Sequence, residues 1–155
     1  MAAQAWKIFT RAKRAIARGE ILLHTGVYKM CLCTSAATAN LAKFTNTGIS
    51  TWASVGSEIS ARGGYAANGR TIPAWGWTVG ASTKQYKTRY TTLGLIFTAD
   101  GSALNNIKFA VIRNSTGAGA GKVICWCSLS ASQFTINSPN TLTIFPATGG
   151  VFVLA

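Results

Sequence analysis

The sequence predicts an all-β fold, an antiparallel β-sandwich or jelly roll with one N-terminal amphipathic helix. Three observations carry that expectation. Apolar residues recur at helical spacing only near the start of the chain, over Gln4–Arg18. Beyond Gly19 the pattern becomes a succession of short runs rich in β-branched and aromatic residues. Loops of Gly, Asn, Ser and Asp separate those runs, as in two-sheet sandwiches and jelly rolls. At 155 residues the expectation is one domain over 1–155, with the helix at 4–18 and sheets and loops at 20–155. A chain of this length buries roughly 68–70% of its unfolded surface, so it needs neither metal nor disulfide to fold.

In the helix, Ala5, Ile8, Phe9, Ala12, Ala15 and Ile16 fall on one face, and Lys7, Arg11, Arg14 and Arg18 on another. Gly19 stands just past the last basic turn, where a helix cap belongs, and the basic end complements the macrodipole. Ile21–Leu23 is a short apolar run and His24-Thr25-Gly26 a turn; the strand Val27–Cys33 follows. Residues 34–69 are rich in Ser, Thr, Ala, Asn and Gly, with a short helix or turn around Trp52 to Ile59. Gly63-Gly64-Tyr65 through Asn68-Gly69 is a turn that demands positive φ. Further strands are expected at Arg70–Val79, Lys84–Ala99, Ile107–Asn114, Val123–Leu129, Gln133–Ile136, Leu142–Phe145 and Gly150–Leu154. Pro73 and Pro139 mark edges or strand ends.

The charge balance limits the chemistry. Fifteen Lys and Arg against three Asp and Glu give a formal net charge of +12. Glu20, Glu58 and Asp100 are the only carboxylates and His24 the only imidazole. Acid–base catalysis, glycoside hydrolysis and carboxylate-bound metals all need several such groups converging, so no enzyme and no cofactor are expected. A strongly positive field favours anionic partners: an acidic protein surface, or nucleic acid. Nucleic acid is the weaker fit, because the cations beyond the helix are scattered from Lys29 to Lys122 and form no single run. No stretch approaches the ~18 uninterrupted apolar residues of a membrane span, and the basic N-terminus lacks the apolar region of a secretory signal, so neither membrane nor export is expected.

The four cysteines form two Cys-x-Cys pairs, Cys31/Cys33 and Cys125/Cys127, each sharing one strand face. Core packing, a cross-strand disulfide and a Cys₄ zinc site are the possible readings; mid-strand spacing argues against zinc, which favours knuckle turns. The Gly117–Gly121 loop lacks the following Lys-Ser/Thr of a phosphate cradle and reads as a hairpin tip. Trp52, Trp75, Trp77 and Trp126 could stack bases together with Arg70 and Lys84, but such aromatics more often fill a β core or an interface.

Several segments, taken in order, carry a resemblance. They are Trp6-Lys7-Ile8-Phe9 in a helix ending at Gly; the strand Tyr28-Lys29-Met30-Cys31-Leu32-Cys33; and the central Glu58-Ile59-Ser60-Ala61-Arg62-Gly63-Gly64-Tyr65-Ala66-Ala67-Asn68-Gly69. Then come Phe97-Thr98-Ala99-Asp100-Gly101-Ser102, Ile107 to Asn114, Ile124-Cys125-Trp126 and the closing Gly150 to Ala155. In this order the chain resembles a family of small tailed-phage structural proteins of the capsid decoration (cement) type. The resemblance implies a jelly-roll-like β-sandwich seated on the outer surface of a shell of major capsid protein, made in the cytoplasm of the bacterial host and carried in the virion. It brings no catalytic residues with it.

The contacts expected to meet an acidic capsid surface are Lys7, Arg11, Arg14 and Arg18 on the helix, and the loops near Arg62 and Arg70. Self-association as a dimer or trimer over a symmetry axis is also expected. A neck, tail or fibre-base position in the virion is the nearest rival, and a basic nucleic-acid-binding module the next.

Overall fold

The computed structural model describes residues 5–42, 51–79, 86–89, 94–146, 151, 153 and 154. Its secondary structure is mostly β and its sheets are antiparallel. The elements in chain order are β1 (Lys7–Ile8), α1 (Thr10–Ala17), β2 (Tyr28–Cys33), α2 (Thr38–Ala42), α3 (Trp52–Val55), β3 (Arg70–Thr71), β4 (Gly76–Val79) and β5 (Tyr86–Arg89). They continue with β6 (Leu95–Thr98), β7 (Leu104–Ile107), β8 (Phe109–Asn114), β9 (Val123–Ser128), β10 (Phe134–Ile136), β11 (Thr141–Ile144) and β12 (Val153–Leu154).

The centre of the fold is a five-stranded sheet in the order β1-β9-β8-β2-β3. Its middle strands are the expected Val27–Cys33, Ile107–Asn114 and Val123–Leu129, each trimmed by a residue or two. In β8 the run Phe109-Ala110-Val111-Ile112 is buried throughout, and so is all of β9. Both faces of this sheet are therefore covered. Met30, Leu32, Ala110, Ile112, Cys125 and Cys127 face a core shared with Leu95, Phe97, Leu104, Ile107 and Ile136 from the strand pairs β6–β11 and β7–β10. Cys33, Phe109, Val111, Val123 and Trp126 face a second core closed by Phe9 and Ala12, Ala37, Leu41 and Val55. That second layer is helical: the start of α1, a 3₁₀ turn at Ser35–Ala37 leading into α2, and α3. The sequence pattern predicts the N-terminal helix and a short helix or turn near Trp52; the helical turns over Ser35–Ala42 stand where the Ser-, Thr- and Ala-rich composition predicts none.

Two expected strands break in two, and a third gives up its first residue to β7. Arg70–Val79 divides at a turn through Pro73 and Ala74, the latter at φ +51°, into β3 and β4. Ile107–Asn114 is joined upstream to β7, with Lys108 as a corner where the chain leaves the β7–β10 pair and enters the central sheet; strands that bend in this way carry one chain between two sheets. Lys84–Ala99 yields β5 and β6, its remainder at residues 84, 85 and 90–93 lying outside the described residues, as do Gly150 and Phe152 of the last expected strand. Pro139 sits in the turn between β10 and β11.

The largest correction is at the N-terminus. The helix expected over Gln4–Arg18 begins at Thr10; Gln4 itself lies outside the described residues. Lys7 and Ile8 instead pair with Trp126 and Cys125 at the edge of β9, and the Phe9 N–H donates to the Ile124 carbonyl at 3.0 Å. An edge strand has backbone groups to satisfy, and pairing them outweighs one more turn of helix. The far end of α1 is as read. Gly19, at φ +70°, donates to Ile16 O and the Glu20 N–H to Ala15 O, a Schellman cap.

All four cysteines are free and buried. Cys33 and the Cys125/Cys127 pair face opposite cores, with β8 between their strands, so the two Cys-x-Cys pairs meet neither in a disulfide nor around a metal.

Candidate functional site

Arg11 and Arg14 of α1 and Arg18 at its C-cap stay exposed, because the helix turns Ala12 and Ala15 inward. The Schellman cap then reverses the chain so that Glu20 follows directly beside the last turn. On the other side, the tight Gly117–Gly121 connection between β8 and β9 delivers Lys122 to the same place. The result is a cleft of about 350 Å³ lined by Arg11, Arg14, Arg18, Glu20 and Lys122 over a floor that includes Ala15 and Val123. Three arginines and one lysine against one glutamate leave a formal +3 there.

Glu20 is gripped from two sides. Its Oε2 accepts a hydrogen bond from Lys122 Nζ, and its Oε1 lies 3.8 Å from an Arg18 guanidinium nitrogen. The Lys122 hydrogen bond and charge, helped by Arg18 and Arg14, hold the Glu20 carboxyl below the usual carboxylate range. Among the described residues these are the only carboxylate–cation pairs within 4.0 Å, so Arg11 and Arg14 face solvent with charge to spare.

The other expected contact residues are dispersed. Lys7 is not on the helix: it lies on β1 with its ammonium 5.1 Å above the Trp126 ring. Arg62 is exposed in a tight turn closed by backbone bonds to Tyr65 in both directions, 3.1 and 2.9 Å. Arg70 lines a separate cleft of about 170 Å³ with Tyr65, Phe97 and Gly64, its guanidinium bonded to the Ile96 carbonyl. Lys122 and Glu20 were missed as site residues. Nothing local to either signals the other, since they are 102 positions apart.

The aromatics do not assemble into one platform. Trp126 is in the second core and meets Phe109 edge-on at 5.7 Å, while Trp75 stacks on Tyr28 at 4.7 Å. Trp52 is packed against the second core with Arg113 over its ring; the side chains of Trp77 and Lys84 lie outside the described residues.

The chain's few acid–base groups also stay apart. Glu58 accepts from Tyr65, Asp100 is exposed in the turn after β6, and His24 is exposed ahead of β2. Among the described residues no group of three His, Cys, Asp or Glu side chains could hold a metal, and no helix is long and apolar enough to cross a membrane. Comparison with protein-family models, curated proteins and solved structures returned no match.

Proposed function

We propose that this chain is a non-enzymatic structural protein of a tailed-phage particle, a cement protein with a jelly-roll-like sandwich that binds the outer surface of the capsid. The observation that carries the reading is the gathering of Arg11, Arg14, Arg18 and Lys122 on one exposed face of a chain with net charge +12. Such a face suits the acidic surface of a major capsid protein and steers the approach to it. The order of segments that resembles decoration proteins, from the helix before Gly19 to the closing Gly150 to Ala155, supports the same reading. The dispersal of Glu20, Glu58, Asp100 and His24 supports a role without catalysis. Each copy needs only a modest interface, because many copies on one shell act together. Closed dimers or trimers over symmetry axes fit such a lattice.

The test is electron microscopy of the particles, with copies counted per head for the parent and for Arg11→Glu/Arg14→Glu. Hundreds of parent copies over capsomer junctions, with strong loss in the variant at unchanged melting, are expected. A handful at one vertex would move the protein to the neck or tail, and normal occupancy by the variant would remove the helix from the interface. Absence from particles, with salt-sensitive binding to duplex DNA, would replace the reading by nucleic-acid binding.

A further inference from the structure

We propose that the cleft between α1 and the start of β9 is a carboxylate-binding site, in which Glu20 occupies the place of an acidic side chain from the partner and gives it up on docking. The identity of the partner rests on the capsid reading above; the chemistry of the cleft rests on its own geometry.

The cleft already holds a carboxylate. Both oxygens of Glu20 are engaged, one by Lys122 Nζ and the other by Arg18. Yet Glu20 stands at the C-terminal end of α1, where the helix macrodipole disfavours an anion. The grip of the cations therefore outweighs the unfavourable end of the helix.

The occupant is also free to leave. The Glu20 side chain is 42% exposed and its backbone is fixed independently by the Schellman bond to Ala15 O, so it can swing into water without opening the core. Arg11 and Arg14 remain for the incoming chain, and guanidinium forks match carboxylates in paired hydrogen bonds. About 350 Å³ is at the lower end of the ~300–1,000 Å³ of ligand sites, which suits a few side chains of an extended acidic segment. A nucleic-acid strand would need a longer cationic track, and Arg62, Arg70 and Arg113 lie on other elements.

The probe is a hexaglutamate peptide titrated at low salt into the full chain, with hexaglutamine as the neutral control. Glu20→Gln is expected to bind hexaglutamate about three- to fivefold more tightly than the parent, the scale of one exposed ion pair. Asp100→Asn removes the same charge outside the cleft and is the control for the general field; it should change affinity far less. Lys122→Gln and Arg14→Gln should each weaken binding. Glu20→Ala serves if Glu20→Gln melts early.

Equal gains from Glu20→Gln and Asp100→Asn would overturn the site, as would an equal gain for a hexathymidylate strand. Peptide binding that follows this pattern, with normal particle occupancy by Arg11→Glu/Arg14→Glu, would keep the cleft and sink its role on the capsid. Loss of occupancy without the peptide pattern would keep the capsid reading and sink the cleft.

Discussion

The Tyr65 hydroxyl donates a 2.6 Å hydrogen bond to Glu58 Oε1 and accepts one from the Leu32 N–H at 3.0 Å. One buried phenol thus ties the turn before β3 to the middle of β2 and holds one of the chain's three carboxylates. Tyr65→Phe deletes both bonds while keeping the ring against Phe97 and leaves the buried Leu32 N–H without its partner. The expected loss is about 1–3 kcal/mol in urea unfolding. A loss below about 0.5 kcal/mol would place the Leu32 N–H in contact with water.

Stability should fall on the alkaline side. Burial pushes the Tyr28 hydroxyl up to about 12 and Tyr65 far above its ordinary value. Burial likewise raises the Cys31 and Cys127 thiols to about 12. The folded chain therefore keeps protons that the unfolded chain gives up, beginning near the ordinary thiol value of 9.0. These groups contribute fully below that pH, and their contribution is lost as the pH climbs towards 12. Urea midpoints from pH 7 to 11 check this; a midpoint that holds or rises across the range would contradict it.

Two glycines separate backbone strain from close approach. Gly69 has φ +78°, and an added Cβ would stand 2.4 Å from the Met30 carbonyl oxygen and 2.6 Å from Cys31 Sγ. Gly101 has φ +66° and open space around the same position. Gly101→Ala should cost about 1–2 kcal/mol for the left-handed backbone alone. Gly69→Ala adds the roughly 1–3 kcal/mol of an overpacked core. Equal losses in thermal melts would mean that the contact at Gly69 relaxes freely.

Trp126→Ala removes the largest side chain of the second core, 7% exposed and set edge-on to Phe109. About 3–5 kcal/mol should be lost. A loss under about 1 kcal/mol in denaturant titration would show that α1 and α3 close over the gap.

Much of this architecture is legible residue by residue. Met30 and Leu32 alternate with Cys31 and Cys33, Phe109 to Ile112 form an unbroken apolar run, and Gly19 ends a basic turn. Each is a local signal acting on local structure. The rest depends on pairings between distant segments. Lys7 and Ile8 fit the helical period of residues 4–18 as well as any others, and only the edge of β9 recruits them to a strand. Ser35–Ala42 has the composition of a loop and becomes helical because Ala37 and Leu41 cover the second face of the sheet. The arginines of the candidate site were readable as a stripe. Their cleft was not, because Lys122 reaches it through the β8–β9 connection.

The strand pairing of Lys7 with Trp126 also sets an order of events in synthesis. Residues 7–20 are made before their anchors, since Ile124 O, Trp126 and the Lys122 ammonium come more than 100 residues later. This segment thus docks only after most of the chain has been made, and closing so long a span slows the search for the native state. Until β9 is complete, Phe9 lacks its backbone partner at Ile124 and the core that it shares with Ala12 lacks Val123 and Trp126. The five cations between Lys7 and Arg18 favour water for that waiting segment and set it against its own copies by charge repulsion.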